Sequence, residues 1–508
     1  MSITRNARHR FPPVPLLPVA VGLMVGVILE HFCFGFSVVS QEHFGAGVTS
    51  QEHFGSGAGA VLVSPVGAFL TFLVLAVIAF VLRGRAKAQS ATLILSVVAL
   101  GVLLSAMQRQ RLVGQVLPAE GRSATVEAVV MGEPSERPRT IAVDLLLPTV
   151  EGRPTLRCYV WKDERSRALQ LGQGLRVVIA NGRFVGFRDW QPYAASTNLL
   201  TGVERLRLRA LHWRHGLLMR LRDLGASDEQ YSVLAAMTLG DKSGLTADVR
   251  HTFSQTGSSH ILALSGLHLG IICLLLTRLL PCGRRWWIGQ VLVVLALWAF
   301  ALLTGLSTSV VRSATMLSLY VIFSAGARRR APLNVLCFTA IVMLMVSPGV
   351  LFDVGFQLSF LSVAAILLFF PVADQYVSQR WLLQHPLARW LWSMTVVSTA
   401  AQLGTAPLVA YYFHQLPVWF LLTNLFVVPL TTLILYLTLA TLLVPAVGGA
   451  LLWAVGLLTS GLAVLSRLPL SSIDGLHPSW LQTVMWYVVI AVAWLLAVTC
   501  SPASARYR

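Results

Sequence analysis

The length of its uncharged apolar runs constrains this chain more than any other feature. Ala58–Leu82 and Trp286–Leu303 pass without an acid or a base, and a hydrocarbon core about 30 Å thick needs roughly 20 apolar residues per crossing helix. With 56% hydrophobic and only 12% charged residues, the whole chain lies outside the soluble globular range. The sequence therefore reads as a polytopic α-helical membrane protein with lipid as its solvent. Arg5, Arg8 and Arg10 precede the first apolar run, as in a secretory signal. That run continues past Val27 toward Val39 and further spans follow, so it is read as a retained first helix.

Composition divides the chain into N-terminal transmembrane helices (1–106), a water-soluble insert (107–202) and a long helical membrane region (203–508). In the insert, charge returns and the apolar runs shorten. Ala124–Val130, Ile141–Leu147, Leu156–Trp161 and Leu175–Ile179 are β-prone segments between turn formers. Four or five such strands suit a small β-rich, OB-like barrel. A barrel of this kind can bind a nucleic-acid strand by stacking bases on aromatics beside basic side chains, and Tyr159, Trp161, Arg157, Arg176 and Arg183 are the candidate contacts for that role. The competing reading has the aromatics filling the barrel.

Loop charge sets the expected orientation. Residues 1–13 hold three arginines, the loop Ser40–Gly57 holds no Lys or Arg, and the next carries Arg83, Arg85 and Lys87. Cytoplasmic loops collect Lys and Arg, so the N-terminus is expected on the cytoplasmic side of the membrane and the insert on the outer side. Single spans over Gly257–Leu280, Trp286–Leu303, Ser309–Ser324, Pro332–Val346, Val354–Pro371 and Trp390–Phe413 keep the later basic loops cytoplasmic. Val418–Val444 reads as one long helix or two short ones, which leaves the side of the C-terminus open within an expected total of ten to twelve spans. The net charge of +18 follows from such loops as readily as from a nucleic-acid surface. Six scattered cysteines without a CxxC pair argue against zinc. The tandem SQEHFGAGVT and SQEHFGSGAG at Ser40–Gly59 reads as a loop duplication, not a metal site.

Polar and small residues crowd Leu239–Gly270, LGDKSGLTADVRHTFSQTGSSHILALSGLHLG, to a density that lipid would not tolerate. On one helix His260 and His268 would lie about 80° apart, with Ser258 and Ser265 on the same broad side. Such a stripe lines a cavity or bonds a neighbouring helix, and Gly266 and Gly270 would let that helix approach. Arg312 in an apolar helix costs roughly 2.5–3.5 kcal/mol on insertion scales, so it needs Asp353, helix-end carbonyls, a cavity or a phosphate. Gln357 and Gln402 would bridge helices or line a pore. His414, Asn424 and Pro429 mark a kinked region. A hydrolytic alternative places Ser265 and His268 as nucleophile and base beside His260 and Asp241, but no third orienting residue is apparent.

These segments also carry a resemblance. TGSSHILALSGLHLG closely matches the TGxxHLLAISGLHVG signature of the ComEC competence-protein family, and LGDKSGL resembles its LGDRSGL. Three more stretches agree in order: TGLSTSVVRSA at Thr304–Ala314, SPGVLFDVGFQLSFLSVAAI at Ser347–Ile366, and AAQLGTAPLVAYYFHQLP followed by NLFVVPL at Asn424–Leu430. The resemblance covers about 203–500, with GFRDWQPY before Thr201 similar to the family's N-terminal module. It implies a channel that takes up single-stranded DNA during natural transformation. Expected partners are a DNA receptor, a cytoplasmic helicase or motor and a separate nuclease, and homo-oligomers are allowed. His260, Ser265, Gly266, His268, Arg312, Gln357 and Gln402 become the candidate pore-lining residues. Many members carry a C-terminal metallo-β-lactamase-like domain with an HxHxDH cluster. This chain holds none, so no catalytic residue, metal or cofactor is expected in it. An intramembrane hydrolase and a membrane scaffold with an altered role, as Thr308 in place of the family's usual Pro would allow, are the alternatives.

Overall fold

The structure, a computed structural model, describes residues 14–34, 65–82, 85–113, 123–136, 139–150, 152–180, 186–280, 287–326 and 332–499. The duplication at 40–59, Arg183 and the basic residues 83, 284–285 and 328–330 lie outside these.

Three helices, α1 (Leu17–Phe34), α2 (Pro65–Val81) and α3 (Ala86–Val113), precede the β-rich insert. The insert comprises β1 (Ser123–Val130), β2 (Ser135–Glu136), β3 (Thr140–Leu146), β4 (Thr155–Trp161), the one-turn α4 (Glu164–Arg167), β5 (Gly174–Ala180), β6 (Gly186–Pro192) and α5 (Ala195–Asn198). Then follow α6 (Gly202–Arg222), α7 (Asp228–Leu239), α8 (Ala247–Gln255), α9 (Ser259–Leu262), α10 (Gly266–Leu279), α11 (Trp287–Leu303), α12 (Thr308–Gly326) and α13 (Pro332–Val346). The chain continues through α14 (Val354–Ala373), α15 (Gln379–Gln384), α16 (Pro386–Phe413), β7 (Gln415–Pro417), α17 (Phe420–Leu443), α18 (Gly448–Ser466), β8 (Ser472–Asp474) and α19 (Trp480–Thr499). Among the described residues, five segments are long and apolar enough to cross a membrane and six further apolar helices are shorter, as befits a multi-pass membrane protein. Val418–Val444 resolves into the single helix α17 with Pro429 inside it.

In the insert, β1 pairs with both β5 and β3, β3 with β4, and β5 with β6, all antiparallel, while β4 and β6 meet in parallel at Tyr159 and Gly186. The ring of pairings therefore closes. Side chains alternate across a strand, so β4 buries Leu156, Cys158 and Val160 and turns Arg157, Tyr159 and Trp161 outward. Leu145, Leu175 and Val177 complete the interior, and neither aromatic fills it. Burial, helped by the Asp144 carboxylate, pushes the Cys158 thiol up to about 12, so this cysteine stays protonated and serves as packing.

The barrel is tied to the helix that follows it. Thr201 and Glu204 form a reciprocal capping box at the start of α6. Arg153, held at φ 48 after Gly152 at φ 78, donates to both Glu204 carboxylate oxygens at 2.9 and 2.6 Å and to the Leu199 carbonyl at 2.7 Å. Burial alone would raise the Glu204 carboxyl, but the hydrogen bonds from Arg153 and Thr201 outweigh it and hold the group below its ordinary value. A depressed carboxylate contributes stability above its unfolded pKa and loses it as pH falls through the folded one. Lowering the pH below about 4 should therefore loosen this joint. In Glu204→Gln, the thermal midpoint should fall at pH 7 and show less acid dependence than in the parent; an unchanged acid dependence would remove Glu204 from the joint.

The described chain divides into two compact units. The first comprises residues 1–109 and 319–360. Within it α1 and α3 touch backbone to backbone, since a Cβ on Gly26 would sit 2.1 Å from the Val98 carbonyl oxygen. Further along the same pair, the Ser105 hydroxyl donates to the buried Glu30 carboxylate at 2.7 Å. The Gln108 side chain accepts from the Gly349 amide at 2.8 Å and donates to Ser347 Oγ at 3.3 Å. The second unit comprises residues 110–318 and 361–508. It holds the barrel and a helical core in which Val233, Met237, Phe253, Val427, Ile434 and Val455 pack together.

Candidate functional site

The expected single span Gly257–Leu280 is two separate helices. At the end of α8, Gly257 adopts φ 74, the left-handed turn that glycine makes without a Cβ penalty. The four-residue α9 follows, Ala263 and Ser265 are extended, and α10 begins at Gly266. His260 and His268 thus lie on different helices, and the 80° relation read from one continuous helix does not hold. The physical reason is the one that made the segment conspicuous. Its polar residues satisfy backbone ends and turns better than they sit in a regular helix.

At the restart, the Ser265 N–H donates to His268 Nδ1 at 3.2 Å and the Ser265 hydroxyl lies 3.0 Å from the same nitrogen. An amide can only donate, so Nδ1 is the acceptor and the neutral ring carries its proton on Nε2. His268 is fully buried, and Nε2 has no hydrogen-bond partner among the described residues. The Ser265–His268 contact is therefore a helix cap. Asp241, the acid of the hydrolytic alternative, instead lies 3.7 Å from Arg214 and accepts from the Ser243 amide at 3.0 Å. The His260 ring keeps accessible surface although protein crowds it closely.

Three other motif segments converge on this broken helix. Leu264 and Leu269 pack with Ala301, Val310 and Ala314, and a Cβ on Gly266 would meet Ser313 Oγ at 3.2 Å. The TGSSH and TGLS segments are thereby neighbours. Gly240, in the LGDKSGL turn at φ 75, lies under Leu264 and faces the Thr304 carbonyl. Across the TGLS turn, Gly305 and Leu306 are both left-handed, at φ 85 and 59. From the AAQLGTAP segment, Gln415 donates to Ser254 Oγ, and Pro417 stands against Gly257. The β7–β8 ribbon presents both residues. Arg312, one turn into α12, is buried; Gln402 is half-buried on α16. Gly270 has nothing within 4 Å of a Cβ position, so it mediates no close helix approach. Gln357 belongs to the first unit, where its amide donates back to the Leu351 carbonyl at 3.0 Å beside the Asp353 cap of α14.

On the barrel, Trp161 is 69% exposed and Tyr159 half-buried on the same outer face. Arg157 is held by both oxygens of Asp144 at 2.8 and 3.0 Å. Arg176 lies 4.2 Å over the Tyr193 ring and 4.0 Å from Glu127. Sequence reasoning passed over the α1–α3 crossing, although Gly22-Leu-Met-Val-Gly26 is a GxxxG signal. It also missed the contact from Gln415 to Ser254, which has no local signal.

Comparison with known proteins bears on the same residues. ComE operon protein 3 of Bacillus subtilis is 29% identical over 48% of this chain and 30% of its own length. An uncharacterized protein of Aquifex aeolicus is 33% identical over 41% of this chain and 47% of its own. Competence protein ComA of Neisseria gonorrhoeae is 28% identical over 40% and 29%. The matches thus span less than half the length of each relative. No solved structure matches the chain. Residues 237–499, just over half of the chain and including every segment that meets at the broken helix, match the family described as Competence protein, and the chain belongs to that family.

Proposed function

We propose that this protein is an inner-membrane channel that takes up single-stranded DNA during natural transformation. The observation that carries this reading is the convergence of the LGDKSGL, TGLS and AAQLGTAP segments on the TGSSH helix, broken at Gly257 and Ala263–Ser265. Non-helical backbone at membrane depth is tolerated only where protein buries it or where it lines a wet cavity, and the accessible His260 ring favours the cavity. His260, Ser265, Gly266, His268, Arg312 and Gln402 flank the DNA path in this reading.

The barrel is OB-like in its connections. β1 pairs with both β3 and β5, β4 and β6 close the ring in parallel, and α4 lies between β4 and β5. With the N-terminus cytoplasmic, the barrel is extracytoplasmic and meets arriving DNA first. Bases would stack on Trp161 and Tyr159, while Arg157 and Arg176 have acids beside them already. The described residues are assigned passage and no catalytic step. A DNA receptor, a motor and a nuclease are the partners this requires.

A deletion strain given labelled DNA should keep surface binding and lose entry; normal entry would end the reading. Ser265→Ala separates it from an intramembrane hydrolase. A hydrolase would lose all activity, whereas loss of a cap costs about 1 kcal/mol and should leave most DNA entry intact in strains with equal protein levels.

A further inference from the structure

Two of the prolines within the long helices, Pro371 in α14 and Pro407 in α16, share a feature that neither helix supplies for itself. Proline lacks the N–H that would bond the carbonyl four residues earlier, and its ring pushes that turn open. Beside each proline a polar aromatic atom of α19 reaches the carbonyl three residues before it. Tyr487 OH donates to the Gly404 carbonyl at 2.9 Å, and Trp494 Nε1 donates to the Leu368 carbonyl at 3.1 Å. The Leu408 N–H faces the same phenol oxygen. The phenol thus stands between the two groups that a regular turn, Gly404 to Leu408, would pair with each other.

The spacing on α19 fits this role. Tyr487 and Trp494 are two helical turns apart, on a stripe of less exposed positions that also includes Thr483, Ile490 and Ala497; most other side chains of α19 are exposed. A third bond runs the other way, from Tyr376 OH to the Ala497 carbonyl at 3.0 Å. The two proline-containing helices meet where Gly404 lies against α14, since a Cβ there would be 2.6 Å from the Leu361 carbonyl oxygen.

We infer that α19 is a splint for two proline bends, with Tyr487 and Trp494 as positioning residues that hold α16 and α14 in their bent form. The inference concerns helix shape and stands whether or not DNA is the cargo.

A double-substitution cycle on the full chain, unfolded at equilibrium in mixed detergent, tests it. Tyr487→Phe removes only the hydroxyl and should lower the folding equilibrium about threefold to tenfold, the range for interhelical hydrogen bonds in membranes. In a Pro407→Ala background residue 407 regains an N–H for the Leu403 carbonyl and no ring pushes the turn open, so Gly404 and Leu408 can pair directly and the same substitution should change little. Trp494→Phe against Pro371→Ala repeats the cycle on the other helix and decides the matter where one proline variant does not accumulate. Faster deuterium exchange at the Leu408 amide in Tyr487→Phe is the accompanying signature. Equal losses with and without the proline, or no loss in either background, would overturn the splint.

Discussion

Gly257→Val is expected to leave little folded protein, and more of the damage should come from contact than from backbone strain. A residue with a Cβ pays roughly 1–2 kcal/mol to enter the left-handed region, and a β-branched one pays most. At Gly257 the new Cβ would also stand 2.7 Å from Pro417 Cγ and 2.9 Å from its Cβ. Those atoms belong to a ring fixed in the β7–β8 ribbon, so they cannot swing aside as a flexible chain would. Gly225 supplies the control. It has nearly the same backbone, φ 80, with nothing within 4 Å of a Cβ position. Gly225→Val should therefore show the backbone term alone. The comparison is read as folded full chain recovered in detergent and as its thermal midpoint. Equal losses at both positions would mean that the TGSSH and HQLP segments do not press on each other at Gly257.

That contact also marks where sequence reading stops. The membrane character and four of the strands were legible because they rest on run length and on alternation, which are local. β4 shows this well: seven residues place Leu156, Cys158 and Val160 on one face by their order alone. β6 was missed because its stretch, GFRDWQP, carries charge in the middle and ends in proline, and it becomes a strand through pairing with β5 and β4. The Gly257–Leu280 segment misled for the opposite reason. Its hydropathy runs on across the break, while the break depends on Gly257 and on a cap between Ser265 and His268. The pairings of Gln415 with Ser254 and of Tyr487 with the Pro407 bend join distant positions and have no local signal. The motifs pointed to the right part of the chain because several of their residues meet there, yet motif order said nothing of which atoms touch.

The α1–α3 crossing yields the second large effect, and its order of severity can be set by distance. Gly26→Leu should abolish accumulation of the full chain, because even the first added carbon would lie 2.1 Å from the Val98 carbonyl oxygen and 2.9 Å from Gly101 Cα. Both are backbone atoms of α3, so one helix must move away as a body. Membrane helices gain little from lipid exclusion and depend on close packing, and the same displacement would carry Ser105 away from the buried Glu30. Gly22→Ala is milder, since the nearest atom, Val97 Cγ1 at 3.2 Å, is the end of a side chain. Gly26→Ala should fall between Gly22→Ala and Gly26→Leu. Gly270→Ala reverses the sign. It lies in the interior of α10 with open space around it, and alanine gains about 0.8–1 kcal/mol over glycine in a helix. Thermal midpoints of the full chain in detergent should therefore descend from Gly270→Ala through the parent, Gly22→Ala and Gly26→Ala. If Gly26→Ala proved no worse than Gly22→Ala, the closest approach of α1 and α3 would lie elsewhere along the pair.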